Sequence, residues 1–192
     1  MGTRELNNMA QTKLIILDRD GVINHDSAEF IKSPDEWIPI EGSMEAIAQL
    51  NQAGYTVVVA TNQSGISRKL FDMEILNTIH HKMHGAAQQV GASIDAVFFC
   101  PHAADFNCDC RKPKPGMIRE IANRYDIELK GVPVVGDSLR DLQAGFIVGC
   151  APHLVLTGKG EMTVAAGGLP PGSVVHKNLA AMVNHLLKIE AA

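Results

Sequence analysis

At 192 residues with 46% of them apolar, the chain is long enough to enclose a sizeable core in one domain. Its 17 basic and 21 acidic residues give a net charge of −4, which with only 5% aromatic residues argues against a nucleic-acid binder. No apolar run approaches a membrane span and Met1 to Thr12 is polar without a signal-peptide core, so a cytoplasmic protein is expected, a single domain over residues 1–192 with 1–12 as a flexible extension.

In chain order, Leu14 to Leu17 is an apolar run that stops abruptly at Asp18 and Asp20, with Gly21 behind them. This reads as a buried strand delivering two acids to its exposed end. Residues i and i+2 of a strand share a face, so Asp18 and Asp20 can open on one cleft while Arg19 points away. Two acids so close repel unless a cation lies between them, and oxygen ligands suit Mg²⁺ shared with a phosphate. Taken alone, D-R-D-G is as readily an acidic turn.

Asn24 to Ile40 lacks periodicity and is expected as a long surface loop, with Trp37 as its anchor. Ser43 is expected to cap a helix that ends at Gly54. Tyr55 to Ala60 reads as a second strand running into Thr61-Asn62-Gln63-Ser64-Gly65. Asp72 caps the next helix, where Ile75, Leu76, Ile79, Met83 and Val90 recur at helical spacing. His80 and His84 share a face of it, but no third ligand is spaced nearby and a solvated or packed face is the simpler reading.

A third strand is expected over Ile94 to Phe99, a helix over Met117 to Tyr125, and a fourth strand over Val132 to Val135 ending in Gly136-Asp137-Ser138-Leu139-Arg140-Asp141. A helix from Leu139 to Val148, a short strand at Leu154 to Leu156, a loose Gly/Pro-rich stretch from Thr157 to Ser173 and a final helix over Leu179 to Ile189 complete the pattern. Strands alternating with helices predict an α/β fold, a Rossmann-like parallel sheet flanked by helices. Ligands of such sheets sit beyond the carboxyl ends of the strands, so the D-R-D, T-N-Q-S and G-D-S-x-x-D endings should meet at one rim.

The segment 100–115 carries a sharper signal. Cys100, His102, Cys108 and Cys110 form a C-x-H-x5-C-x-C arrangement, a donor set that closes a tetrahedral Zn²⁺ shell without leaving a position for water. A closed shell is structural, and a disulfide or plain burial is the alternative. Cys150 has no partner in the pattern and is expected in the core. Arg111 and Lys112 follow Cys110 directly, so a metal there would fix a basic pair that is otherwise an ordinary basic loop.

D-R-D-G-V, the Thr61 turn, the lysine of R-K-P and G-D-S-x-x-D, in this order between Leu14 and about Gly158, resemble the four motifs of the haloacid dehalogenase (HAD) superfamily of phosphotransferases. The resemblance implies a Mg²⁺-dependent phosphatase with Asp18 as nucleophile, Asp20 as acid and base, and Thr61 and Lys112 as partners of the phosphoryl group. It implies Mg²⁺ at Asp18, Asp20 (through its backbone carbonyl) and Asp137, with Asp141 a weaker candidate.

The zinc loop and short insertions resemble a branch without a large cap domain that hydrolyses a heptose bisphosphate during surface-glycan synthesis. Histidinol phosphate is the alternative substrate. Carried over residue by residue, substrate contacts fall on Asp18, Arg19, Asp20, Asp26, Ser27, Ala28, Glu29, Thr61, Asn62, Gln63, Ser64, Arg111 and Lys112. Ser138 stands where some relatives have lysine, and the zinc loop is shorter than in some. The expected partner is a small sugar phosphate, with no nucleic acid and no membrane, and the expected unit is a monomer. A phospho-acceptor domain resembling a response regulator would lack the second acid at i+2, and a zinc-bearing binding module would leave the acids unexplained.

Overall fold

The computed structural model describes residues 13–191, so the expected extension over 1–12 lies outside the described residues. Its elements are β1 (Leu14–Leu17), α1 (Ser43–Gln52), β2 (Thr56–Asn62), α2 (Met73–Gln89), β3 (Ala96–Cys100), α3 (Gly116–Tyr125), β4 (Pro133–Gly136), α4 (Leu139–Phe146), β5 (Ala151–Val155), α5 (Gly160–Ala166), β6 (Val174–His176) and α6 (Leu179–Glu190). The strands make one sheet in the order β3-β2-β1-β4-β5-β6, and every pairing is parallel.

All four residues of β1 are buried because both faces of the sheet are covered. Ile15 and Leu17 pack with α1, α2 and α6 through Ile47, Leu50, Ile79, Met83 and Met182. Leu14 and Ile16 turn to the opposite face and meet Met117, Ile118 and Ile121 of α3 and Ala144 of α4. The alternation is the strand period itself. Cys150 is in this second cluster, as expected of an apolar thiol.

Chain order reverses at β1, which has β2 on one side and β4 on the other. Such a switch point opens a crevice beyond the carboxyl ends of the two adjoining strands. Leu17 lies opposite Val135, and the Asp18 amide donates to the Val135 carbonyl at 2.9 Å. Asp18 and Asp137 are thereby delivered to the same rim.

Several boundaries differ from the sequence reading. Gly42, in a left-handed conformation, precedes α1 as its cap, and Ser43 is the first helical residue. Its hydroxyl donates instead to the carbonyls of Ile23 and Ile40, tying the β1–α1 loop down. Asp72 does cap α2, accepting from the Ile75 amide. The expected strand at Leu154 begins three residues earlier, at Ala151.

The stretch read as loose holds α5 and is followed by β6. Both escape pattern reading for the same reason. In α5 only Gly160 is buried, and β6 is a three-residue edge strand with Val174 and Val175 exposed, so neither shows an apolar period. The β1–α1 and β2–α2 connections contain no helix or strand, so no cap domain is inserted at either place. Trp37, fully buried, anchors the longer one.

Candidate active site

At the switch point two carboxylates converge on one ammonium. Lys112 Nζ lies 3.0 Å from Asp18 Oδ1 and 2.7 Å from Asp141 Oδ1, and it donates to the Ala60 carbonyl at 2.6 Å. Lys112 is 3% exposed, so this cation is committed to the site. Its backbone is held in turn by Asn62, which accepts from the Lys112 amide and donates to its carbonyl, both at 3.1 Å. The end of β2 therefore sets the lysine in place.

Asp18, Asp137 and Asp141 each offer an oxygen within 4.8 Å of the others. Three carboxylates against one ammonium leave two negative charges in a buried cleft. Burial pushes Asp18 up to about 7, against the pull of Lys112, and the neighbouring charges of Asp141, Asp137 and Asp20 add to the rise. Burial and Asp141 likewise push Asp137 up to about 6. For Asp141 the Lys112 charge overcomes burial and holds its carboxyl below the usual range. A cleft of oxygen donors with two charges uncompensated fits a hard divalent cation such as Mg²⁺.

Glycine is required where the backbone meets this cluster. Gly21 has φ +82°, and a Cβ there would lie 2.1 Å from Asp137 Oδ2. Gly158, at φ +58°, would meet the same oxygen at 2.2 Å. The Asp137 carboxylate is thus wedged between two glycine turns, and the Lys159 amide donates to its Oδ2 at 2.8 Å.

Asp20 has a different environment. Arg19 points away from the cleft, as the strand alternation implies, yet it is fully buried and curls so that Nε and Nη2 donate to the Asp20 carboxylate at 3.0 and 2.9 Å. Asn24 donates to Oδ1 at 2.9 Å and Gln63 to Oδ2 at 3.0 Å. Burial favours the neutral acid, yet the Arg19 charge and these hydrogen bonds outweigh it and hold Asp20 below the usual carboxylate range. His80 stands behind Arg19, its Nε2 3.4 Å from Nη1, kept neutral by burial and by the Arg19 charge with its pKa pushed down to about 4. The side chain set aside as a metal ligand is the back wall of the Arg19–Asp20 pair.

The cleft opens into a cavity of about 320 Å³ lined by Asp18, Asp20, Thr61 and Lys112 together with residues from all five strand-to-helix connections between β1 and α5. Cys100, His102, Cys108 and Cys110 lie just outside it, each offering a donor atom within 4.8 Å of the others. The Cys100 sulfur is 3.2 Å from that of Cys110, 3.7 Å from that of Cys108 and 3.6 Å from His102 Nδ1. A tetrahedral Zn²⁺ shell with thiolates at about 2.3 Å needs donors roughly 3.3–3.8 Å apart, so the group fits one, and all four cysteines are free of disulfides. Arg111, next in the chain, donates from Nη1 to the His102 carbonyl at 2.9 Å.

Comparison with known proteins places this architecture. A family model described as polynucleotide kinase 3 phosphatase matches residues 13–142, and one described as HAD-hydrolase-like matches residues 109–182. The D-glycero-β-D-manno-heptose-1,7-bisphosphate 7-phosphatase of Bordetella bronchiseptica is 62% identical over 92% of this chain and 98% of its own. The chain belongs to the HAD-superfamily heptose bisphosphate phosphatases. The Pseudomonas aeruginosa relative of the same description is 50% identical over 91% of this chain and 98% of its own. The crystal structure of the B. bronchiseptica phosphatase, complexed with magnesium and phosphate, superimposes with a TM-score of 0.91 over 92% of this chain and 99% of that one. A second, from Burkholderia thailandensis, is 56% identical with a TM-score of 0.75, covering 91% of this chain and 98% of that one.

Within this phosphatase the cavity wall includes Asp26, Ser27, Ala28, Asn62, Gln63, Ser64 and Arg111 among the residues expected to contact substrate. Arg19 and Glu29 do not line it, the first buried beneath Asp20 and the second exposed on the outer loop. The Asp20 carboxylate is outside the three-acid group, which leaves only its backbone carbonyl for a cation, and Asp141 takes the place beside Asp18 and Asp137. Sequence reasoning missed Arg68, Arg140 and Lys159, which add three cationic side chains to the wall. For Lys159 a signal existed: β5 ends, like β1 and β4, in small polar residues and a glycine, Thr157-Gly158-Lys159.

Proposed function

We propose that this chain hydrolyses D-glycero-β-D-manno-heptose 1,7-bisphosphate at its 7-phosphate, through a phosphoryl group carried transiently on Asp18. The observation that supports this most is the buried Lys112 shared between Asp18 and Asp141 at the sheet's switch point, with Asp137 alongside. An attacking carboxylate is repelled by a phosphate dianion, so the site must supply positive charge where the phosphoryl oxygens will lie. Lys112 and the amides after Thr61 do so. Asp18, Asp137 and Asp141, with the Asp20 carbonyl, would hold Mg²⁺, which when bound neutralises phosphoryl oxygens and favours ionised Asp18.

In the first half-reaction Asp18 forms a bond to phosphorus while the bond to the sugar oxygen breaks, and Asp20 protonates that oxygen. In the second, Asp20 takes a proton from water, which attacks phosphorus and releases inorganic phosphate and free Asp18. The four donors on Asp20 hold it as an anion, the form the second half needs. Substrate entry must loosen at least one of them, Gln63 being on the cavity wall, before Asp20 can carry a proton for the first.

The Cys/His group is read as a structural Zn²⁺ site that orients Arg111 and Lys112. One chain completes the cavity, so the working unit is taken as a cytoplasmic monomer; among the described residues no helix is long and apolar enough to cross a membrane. Phosphate release from the heptose bisphosphate and from histidinol phosphate, each with Mg²⁺ and with EDTA, tests the reading. Mg²⁺-dependent turnover of the sugar with little of the amine is expected, and the reverse preference would refute the substrate.

A further inference from the structure

One ion pair spans the cavity between two loops and has no part in the chemistry above. Lys159, on the β5–α5 connection, places its ammonium against the carboxylate of Asp26, on the β1–α1 loop, and both line the cavity. Neither end is free to wander. The Thr157 hydroxyl donates to the Gly21 carbonyl at 2.6 Å, the Thr163 hydroxyl to the Asp137 carbonyl at 2.8 Å, and the Lys159 amide to Asp137. Asp26 is fixed from its other oxygen, which accepts from the Ser27 amide at 2.9 Å.

A carboxylate in a pocket for a doubly phosphorylated sugar is a liability. It can accept hydrogen bonds from hydroxyls, but it repels phosphate, and the repulsion grows with substrate charge. We infer that Lys159 is a specificity residue that neutralises Asp26, so that the carboxylate can receive sugar hydroxyls while the pocket still admits a second phosphate. This rests on the bisphosphatase reading given above. Arg68, Arg111 and Arg140 make the remaining wall cationic, so without Lys159 the Asp26 charge would be the one repulsive element outside the reacting centre.

The inference separates charge from scaffolding. Steady-state kinetics on the Mg²⁺-loaded enzyme would compare the heptose bisphosphate with an aryl phosphate monoester, which carries half the phosphate charge. Lys159→Ala should raise KM for the bisphosphate about tenfold while shifting KM for the monoester less than about threefold, with kcat of both little changed. Lys159→Arg should restore KM, and adding Asp26→Asn to Lys159→Ala should recover most of the loss, because the unpaired charge has gone. Equal losses of kcat on both substrates would overturn the inference in favour of a brace acting through Asp137, and so would a double variant worse than either single one. A wild-type enzyme inactive on the bisphosphate would instead remove the substrate reading beneath it.

Discussion

The two donor clusters of this molecule are built in opposite ways. Cys100, His102, Cys108 and Cys110 come from eleven consecutive residues of one loop. Asp18 and Asp137 are 119 positions apart and meet only because β1 and β4 pair at the switch point of the sheet. The local cluster offers four donors, enough to close a tetrahedron around a zinc ion with no room for substrate. The assembled one offers three carboxylates beside a cavity and leaves room for phosphate. Under the proposed function the difference teaches that a loop site can serve geometry while a sheet site serves reaction, and Lys112, two residues past Cys110 and paired with Asp18 and Asp141, stands between them.

The comparison is broken most severely at that joint. Lys112→Met should lower kcat by roughly 10²–10³-fold, as expected when a donor aimed at developing charge is lost, with circular dichroism showing an intact fold in Mg²⁺. The same variant stripped of metal should unfold at lower denaturant by about 3–5 kcal/mol, since breaking a buried pair leaves carboxylates uncompensated. Retention of near-wild-type activity would mean that the lysine is only a structural counter-ion.

The loop site should matter less. Cys108→Ser, or stripping the four-donor site with a chelator followed by Mg²⁺ repletion, is expected to reduce kcat/KM roughly tenfold to hundredfold, because Arg111 and Lys112 lose their fixed approach. Metal analysis should find one equivalent of zinc lost with that activity. If zinc is lost and the rate is kept, the loop does not position the pair.

Smallest is an effect outside both clusters. His153 of β5, whose Nδ1 lies 3.0 Å from His176 Nε2, is pushed down to about 4 by burial and by the charges of His176 and His185. The folded state therefore binds fewer protons than the unfolded one between pH about 4 and 6.5. Stability from this residue is present above 6.5 and is lost as pH falls through that window, by up to about 3 kcal/mol. His153→Gln should flatten the acid limb of a denaturation series without altering activity at neutral pH. An unchanged slope would mean that the imidazole is as readily protonated folded as unfolded.

Much of this was legible in the residues. The sheet, most of its helices and the three polar strand ends follow from apolar runs that stop at polar residues, and the Cys/His spacing is visible by eye. Side-chain partners beyond the strand end were not. Arg19 keeps to the α2 side with Leu17, as the alternation implies, but nothing in the residues shows that its guanidinium is fully buried and folds onto Asp20. The weight of Asp141 was hidden as well, since a helix position four residues past Asp137 reaches the cluster only if Gly136 lets the helix pack close: a Cβ there would lie 2.3 Å from Asp141 Cβ. Lys159 lay in a stretch whose short helix and edge strand bury too little to show a pattern.

The claim beneath all of this is that Asp18 bonds to phosphorus. Acid-quenching the enzyme during turnover of the heptose bisphosphate, then digesting it and weighing the peptides, asks this directly. The account predicts a peptide containing Asp18 heavier by one phosphoryl group, accumulating in Asp20→Asn, where hydrolysis is slowed, and absent from Asp18→Asn, which should be inactive by roughly 10⁴-fold or more. Turnover that persists in Asp18→Asn, with no phosphorylated peptide in any sample, would contradict it.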